Sequence, residues 1–241
     1  MISIIIPTKN EEKALERSLL RLRTLTGHSY ELIVSDGTST DQTVSIAHRH
    51  ADKVIVADES GIIGKIASGR NRGAAIATGE YLLFLDADVT IADITKTISH
   101  IIQRFEHEPR LVGLTGFLRV DSAHATIADV FFSGLMNYLY VIFNNILGIG
   151  GAPGEFLCVR RTAFELIGGF NTTLAAAEDN DLFRRLHQKG YTRIDRRIAI
   201  YHDGRRMHEI GWIRLLTLYF LNTLFLTLFK KSFSSQWKQI R

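Results

Sequence analysis

The sequence predicts an α/β fold, a mostly parallel sheet flanked by helices and followed by an apolar helical extension at the C-terminus. Two observations carry this. Short apolar, β-branched runs alternate with amphipathic helical stretches through the first third of the chain, and several of the runs stop at proline or aspartate. The 241 residues, 46% hydrophobic and 22% charged, suffice for one large domain with a real core.

Ile2–Ile6, bounded by Pro7, reads as a first strand rather than a signal peptide, because no basic stretch precedes it and the apolar run is short. A helix follows from Asn10, with Glu11 and Glu12 in its first turn and Leu15, Leu19 and Leu22 as its buried face; Gly27 breaks it. Glu31–Ser35 is the second strand, Asp41–His50 the second helix and Lys53–Ala57 the third strand. A small-residue helix over Lys65–Ala77 leads into a fourth strand, Tyr81–Leu85, which ends at Asp86-Ala87-Asp88. This order implies parallel strands with helices on both faces, and in such sheets ligands bind beyond the carboxyl ends of the strands. Thr8, Asp36, Asp86 and Asp88 fall at those ends.

The second half is less regular. Strands are predicted at Leu111–Val120, Phe156–Val159 and Arg197–Tyr201, and helices at Thr162–Ile167, ended by Gly168-Gly169, and at Asn180–Lys189, capped by Gly190. Val130–Gly154 carries no charge, but Asn137, Asn144, Asn145 and its glycines argue for a buried or acceptor-facing helix. Trp212–Lys231 reads as a long apolar helix. Its uncharged part, Leu215–Phe229, spans roughly 22 Å, short of a hydrocarbon core of about 30 Å, so the helix is expected to lie on a membrane rather than cross it. The simplest division is a catalytic domain, 1–210, and an extension, 211–241.

Residues 184–241 hold 13 Lys and Arg against 3 Asp and Glu, in a chain of net charge +4. A basic tail is either a solvated surface or a contact for nucleic acid, anionic lipid or a phosphorylated substrate. The apolar runs within it favour lipid or lipid phosphate and argue against nucleic acid. The lone Cys158 excludes an internal disulfide and a cysteine zinc cluster, and fits a reducing compartment.

Four segments can carry chemistry. In FLDADV, residues 84–89, Asp86 and Asp88 can hold Mg²⁺ or Mn²⁺ against a diphosphate, or simply form an acidic turn that stops the strand. In VSDGTSTD, residues 34–41, Asp36 can accept from a base N–H or close an Asx turn. Glu178, Asp179 and Asp181 begin a helix; they complement its dipole, or supply the general base that displacement at an anomeric carbon requires. His202 ends a late strand beside Arg205 and Arg206, where it is structural or serves metal and phosphate. GIIGKIASG, residues 61–69, lacks P-loop spacing, and GIGGAPG, residues 148–154, has Pro153 where a dinucleotide loop needs glycine.

Taken together, IIIPTKNEE, IVSDGTSTDQT, GRNRGAAIATGEYLLFLDADV, GAPGEFLCVRRTAFELIGGFN and AEDNDLFRRLHQKG resemble, in order, segments of glycosyltransferase family 2 across about residues 1–206. Ser35 stands where many members have the first aspartate of "DDGSTDGT". The resemblance implies a GT-A, Rossmann-like fold and an inverting transferase. It uses a nucleotide-diphosphate sugar, a UDP- or GDP-sugar, with Mg²⁺ or Mn²⁺, and a glycan or lipid-linked acceptor at the cytoplasmic face of a membrane. It implies Thr8, Glu11, Asp36 and Arg70 around the donor, and Asp86 at the ribose and the metal. Asp88 is the principal metal ligand, Asp179 the base with Glu178 beside it, and His202 at metal or diphosphate. In the same resemblance Arg205 and Arg206 would neutralise the leaving group, while Thr217, Asn222 and the other polar residues of the tail would play no part.

Two rivals remain at this level. A sugar-phosphate nucleotidyltransferase would open with a glycine-rich loop after the first strand, where this chain has PTKNEE. A non-catalytic α/β module that binds metal or a partner leaves the ordered motifs unexplained.

Overall fold

A computed structural model describes residues 1–58, 66–123 and 125–234. Residues 61–65 of the glycine–lysine segment and 235–241 of the extension lie outside the described residues. The N-terminal half follows the predicted alternation: β1 (Ile2–Thr8), α1 (Glu12–Leu22), β2 (Tyr30–Asp36), α2 (Thr43–His50), β3 (Lys53–Val56), α3 (Ile66–Ala75) and β4 (Tyr81–Leu85). Then come β5 (Thr90–Ile91), α4 (Ile94–His107), β6 (Leu111–Val120), α5 (Ile127–Val141) with a π-helical turn at Ile142–Ile146, β7 (Phe156–Arg160) and α6 (Arg161–Leu166). The chain continues through α7 (Glu178–His187), β8 (Tyr191–His202), α8 (Arg205–Ile210) and α9 (Trp212–Phe229).

Among the described residues the strands form one eight-stranded sheet in the order β3-β2-β1-β4-β7-β6-β8-β5. β3, β2, β1 and β4 are parallel, as the alternation requires. The other side is mixed: β7 runs antiparallel to β4 and β6, and β5 antiparallel to β8, while β6 and β8 are parallel. Because β7 reverses between β4 and β6, its beginning meets the end of β4, with Leu85 opposite Phe156. One edge of the sheet therefore collects the C-terminal ends of β1, β2, β4 and β8 and the N-terminal end of β7.

The core is split by the sheet. On one face Leu15, Leu19 and Leu22 of α1, Ile46 of α2 and Ile98, Ile101 and Phe105 of α4 pack with Ile4, Leu32 and Leu83. On the other, Ala67 of α3, Phe164 of α6 and Leu182, Phe183 and Leu186 of α7 pack with Ile5, Ile33 and Phe84. Each fully buried Leu, Ile or Phe stabilises the fold by about 1.5–3 kcal/mol. α4 and β5 are not among the predicted elements. α4 is nonetheless regular: Asp93 caps it by accepting from the Lys96 N–H at 2.9 Å, and Ile94, Ile98, Ile101 and Phe105 form its buried stripe.

Two expectations need correction. Gly190 is not a left-handed cap; α7 ends at His187, and a Cβ at Gly190 would sit 2.4 Å from the Arg110 carbonyl, so close approach demands the glycine. The uncharged stretch from Val130 is not a buried helix. Ile127, Val130 and Phe131 of α5 are exposed, while Asp129 and Asn137 turn inward. Asp129 is a polar staple: it closes a capping box with Thr126, and its carboxylate receives His208 Nε2 at 2.8 Å and Trp212 Nε1 at 2.6 Å. These bonds fasten the start of α9 to α5, aided by Phe132 stacked on Trp212 at 5.6 Å.

At the opposite edge of the sheet, Glu31 Oε1 accepts from Ser3 Oγ at 2.6 Å and from Thr78 N and Oγ1 at 2.6 and 2.8 Å, and Oε2 pairs with Lys53 at 2.7 Å. Burial works to raise this carboxyl, but the donors outweigh it and hold it at about 2. A folded value below the unfolded one, about 4.3, stabilises the native state above the unfolded value and is lost as pH falls. We therefore expect Glu31→Gln to lose up to about 3 kcal/mol at neutral pH. Between roughly pH 5 and pH 2 its stability should fall less steeply than the parent's, as read by urea denaturation at several pH values.

Candidate active site

A cavity of about 710 Å³ opens at the collecting edge of the sheet. Of the residues singled out from sequence, Thr8, Glu11, Arg70, Asp86, Asp88, Glu178, Asp179, His202, Arg205 and Arg206 all line it. Chain segments nearly 200 residues apart thus converge. Asp181 and Asp36 are the exceptions: Asp181 turns to Arg185, 2.7 Å away, and Asp36 lies behind the wall. Asp36 is fully buried, and its carboxylate accepts from Thr8 Oγ1 at 3.0 Å, from Ser39 N at 2.7 Å and from Ser39 Oγ. Successive strand residues face opposite ways, so with Asp36 turned inward it is Ser35 that reaches the wall. Its buried hydroxyl has no hydrogen-bond partner among the described residues.

Arg70 is also placed otherwise than expected. It is 1% exposed, and its guanidinium works as a strut. Nη1 donates to Glu178 at 3.0 Å, Nη2 donates to Asp86 at 3.1 Å and to the Gly154 carbonyl at 2.7 Å, and the group lies 5.3 Å from the Phe170 ring centroid. Gly154 must lack a side chain, since a Cβ there would come within 2.9 Å of Asp179 Oδ2. One arginine thereby joins the loop after β4 to the start of α7.

The carboxylates are crowded. Burial raises Asp86 to about 6, with Arg70 opposing and Asp88 adding to the rise. Burial, followed by the charge of Glu178, lifts Asp179 well above the usual carboxylate range. Glu155 is raised to about 7 by burial and then by Asp86 and Asp88. It lines the same cavity, and its carbonyl accepts from the Asp86 N–H at 3.1 Å. Sequence reasoning passed over Glu155, although a carboxylate just before a buried strand was a signal. Lys9 and Arg72 also line the cavity and were not singled out.

His202 accepts from the Gly204 N–H through Nδ1 at 3.1 Å, so the neutral ring carries its proton on Nε2. That buried atom has no partner among the described residues, and the ring lines the cavity. Burial lowers the His202 pKa, which keeps the ring neutral. An N–H donor suits a phosphate oxygen; ligating a metal through Nε2 would require giving up the Gly204 bond. Asp88 receives Arg205 Nη2 at 3.1 Å, and Arg205 also pairs with Asp203.

The far wall comes from the apolar helices. Met136, Asn137 and Tyr140 of α5, Trp212, Tyr219 and Asn222 of α9, and Leu174–Ala177 all line the cavity. Asn222, expected to lie outside the site, is 2% exposed and forms part of this wall.

No group of three metal-ligating side chains occurs among the described residues. Two carboxylates one residue apart, in a cavity open enough for phosphate oxygens to complete the shell, fit Mg²⁺ or Mn²⁺.

A parallel sheet joined through a reversed strand to a mixed half, with an acidic pair at its edge, is the GT-A fold of glycosyltransferases. Comparison with known proteins agrees. The model of "Glycosyl transferase family 2" matches residues 3–167, and the chain belongs to that family. The succinoglycan biosynthesis protein ExoA of Rhizobium meliloti (strain 1021) is 27% identical over 227 residues, 87% of this chain and 65% of that protein. The mannosyltransferase PcManGT from Pyrobaculum calidifontis, solved with GDP-Man and Mn²⁺, superposes with a TM-score of 0.73 at 20% identity, over 91% of this chain and 61% of that one. Glucosyl-3-phosphoglycerate synthase from Mycobacterium tuberculosis, solved with Mn²⁺, UDP-Glc and phosphoglyceric acid, superposes with a TM-score of 0.62 at 20% identity, over 92% and 78%. The chain thus spans less than two thirds of ExoA and of PcManGT.

Removing Arg70 leaves Asp86 and Glu178 buried without their counter-charge. Arg70→Ala is expected to cost about 3–5 kcal/mol, measured by chemical denaturation.

Proposed function

We propose that this family 2 glycosyltransferase moves a sugar, with inversion, from a UDP- or GDP-sugar to a hydroxyl or phosphate of a glycan or lipid-linked acceptor. The observation that carries this reading is the convergence of Asp86, Asp88, Glu178, Asp179, His202, Arg205 and Arg206 on one cavity. In this reading Thr8, Glu11 and the Ser35 hydroxyl contact the nucleoside, and Asp36 holds Thr8 and Ser39 in place behind them. Asp88 and Asp86 hold Mg²⁺ or Mn²⁺, which offsets charge on the departing diphosphate. The His202 Nε2–H, Arg205 and Arg206 bind diphosphate oxygens.

Asp179 removes the acceptor's proton. Its raised pKa makes it a stronger base than an ordinary carboxylate, and Glu178 beside it accepts from Arg70 at 3.0 Å. The test begins with thermal shifts against UDP-, GDP- and dTDP-sugars, with and without Mn²⁺. A stabilising donor whose shift needs Mn²⁺ and vanishes in Asp88→Asn supports the reading. Pyrophosphate release from nucleoside triphosphate and sugar phosphate supports a nucleotidyltransferase instead. Transfer by the parent should rise with pH through a midpoint above the usual carboxylate range, because the base must be ionised. Asp179→Asn should lose that limb and roughly 10²–10⁴-fold in kcat while still binding donor.

The same reading seats the chain on the cytoplasmic face of a membrane, with 1–210 as the catalytic unit and 211–241 as the extension. Ile127–Ile146 and Trp212–Phe229 are long and apolar enough to cross a bilayer by length and composition, which is weak evidence by itself. α9, however, turns Trp212, Leu215, Asn222 and Leu226 onto the domain, and a helix covered on one face cannot be ringed by lipid. Its outer side presents Ile213, Phe220, Leu228 and Phe229, with Phe220 66% exposed, next to Lys230 and Lys231. Those features suit a helix lying at the interface. The buried free thiol of Cys158 fits a reducing compartment. A Phe220→Glu/Leu228→Glu variant should keep its fold and cease to pellet with phosphatidylethanolamine–phosphatidylglycerol vesicles that carry down the parent; equal pelleting of both would refute the membrane seat.

A further inference from the structure

The chain beyond α9 returns to the catalytic wall. Lys230 adopts a left-handed conformation, φ 57°, which reverses the chain after the helix. Ser232 then reaches the loop ahead of α7. Its Oγ accepts from the Ala175 N–H at 3.0 Å and the Ala176 N–H at 3.1 Å, and donates to the Ala176 carbonyl at 2.8 Å. One hydroxyl thus spends its donor and both lone pairs on two consecutive residues. Two residues on, Ser234 N donates to Asn222 Oδ1 at 3.0 Å, and Asn222 Nδ2 donates to Ser234 Oγ at 2.9 Å. Phe233, between the two serines, packs on Phe225 with ring centroids 5.0 Å apart.

The loop so held buries Leu174 and Ala176, 3% and 6% exposed. It ends at Ala177, a non-glycine residue at φ 62°, ψ 25°, a conformation costing about 1–2 kcal/mol. α7 has no side-chain cap at its N-terminus. The next two residues are Glu178 and Asp179. A shift of this loop would therefore move the pair directly, while the donor side, built from β1, β2 and the end of β4, is anchored in the sheet.

We propose that residues 230–234 form a clasp and that Ser232 is a positioning residue, fixing loop 174–177 and through it the Glu178–Asp179 pair. This rests on the transferase reading, in which Asp179 takes the acceptor's proton. The tail then contributes to turnover without touching donor or acceptor.

The experiment compares the full chain with Ser232→Ala, Ser232→Thr and, as a control on the exposed side of α9, Thr227→Ala. Hydrogen exchange of peptides covering 174–181 reports the clasp. Nucleoside-diphosphate release from UDP-glucose and GDP-mannose with Mn²⁺, and calorimetric binding of the same donors, report function. Ser232→Ala should exchange faster over 174–181 and lose roughly 10- to 100-fold in kcat, with donor affinity within about twofold of the parent. Ser232→Thr, which keeps the hydroxyl, and Thr227→Ala should match the parent. Unchanged exchange in Ser232→Ala overturns the clasp. Faster exchange with parental kcat overturns the positioning role, as does loss of donor affinity in step with kcat, which marks general unfolding. A parent that turns over neither donor counts against the transferase reading and removes the positioning claim with it, while the exchange result still decides whether the clasp exists.

Discussion

The site depends on a single buried cation. Arg70 is enclosed by β4, the loop before β7 and the first turn of α7, and it compensates Asp86 and Glu178 together. A buried carboxylate without a counter-charge is costly, and the guanidinium between the two offsets that cost at the edge of the sheet. Coulombic attraction alone would allow many arrangements. The planar fork also donates to the Gly154 carbonyl, which fixes its orientation. The elements that carry Asp86 and Glu178 are thus held at a set spacing by one side chain that donates in three directions.

The sheet makes that convergence possible. Parallel strands deliver loop after loop to one edge, and the reversed β7 adds its own beginning to the end of β4. Glu155, immediately before β7, reaches the acidic cluster for this topological reason. β8 returns parallel to β6 and brings His202 and the arginines of α8 to the same place. The charged groups gathered there thus follow elements whose positions are set by backbone ladders.

Much of this was legible in the sequence. The β-branched runs marked β1, β2 and β4, and the aspartates that end β2 and β4 marked the edge where the cavity opens. What could not be read was which way each side chain faces. Asp36 and Ser35 are neighbours on a strand, so one must point away from the cavity, and only the tertiary register decides which. Arg70 shows the same limit: a basic residue on a small-residue helix looks like a phosphate contact until its buried partners are known. α4 is a different case. Its Asp93 cap and its Ile94, Ile98, Ile101, Phe105 stripe were fully local signals and were missed, whereas the antiparallel entry of β7 has no local signal at all.

The C-terminal helix shows how an apolar segment takes on two roles. Its composition suggested an appendage, and polar Asn222 within it seemed incidental. A buried amide in an apolar helix costs stability unless it is hydrogen-bonded, and Asn222 finds its partners in Leu218 and Ser234. Those bonds fold the following residues back under the active-site loop, while Trp212 and Asp129 tie the helix start to α5. The inner face of α9 therefore belongs to the cavity, and only its outer face is left for another phase. Residues on both sides of position 210 thus build the wall of one cavity.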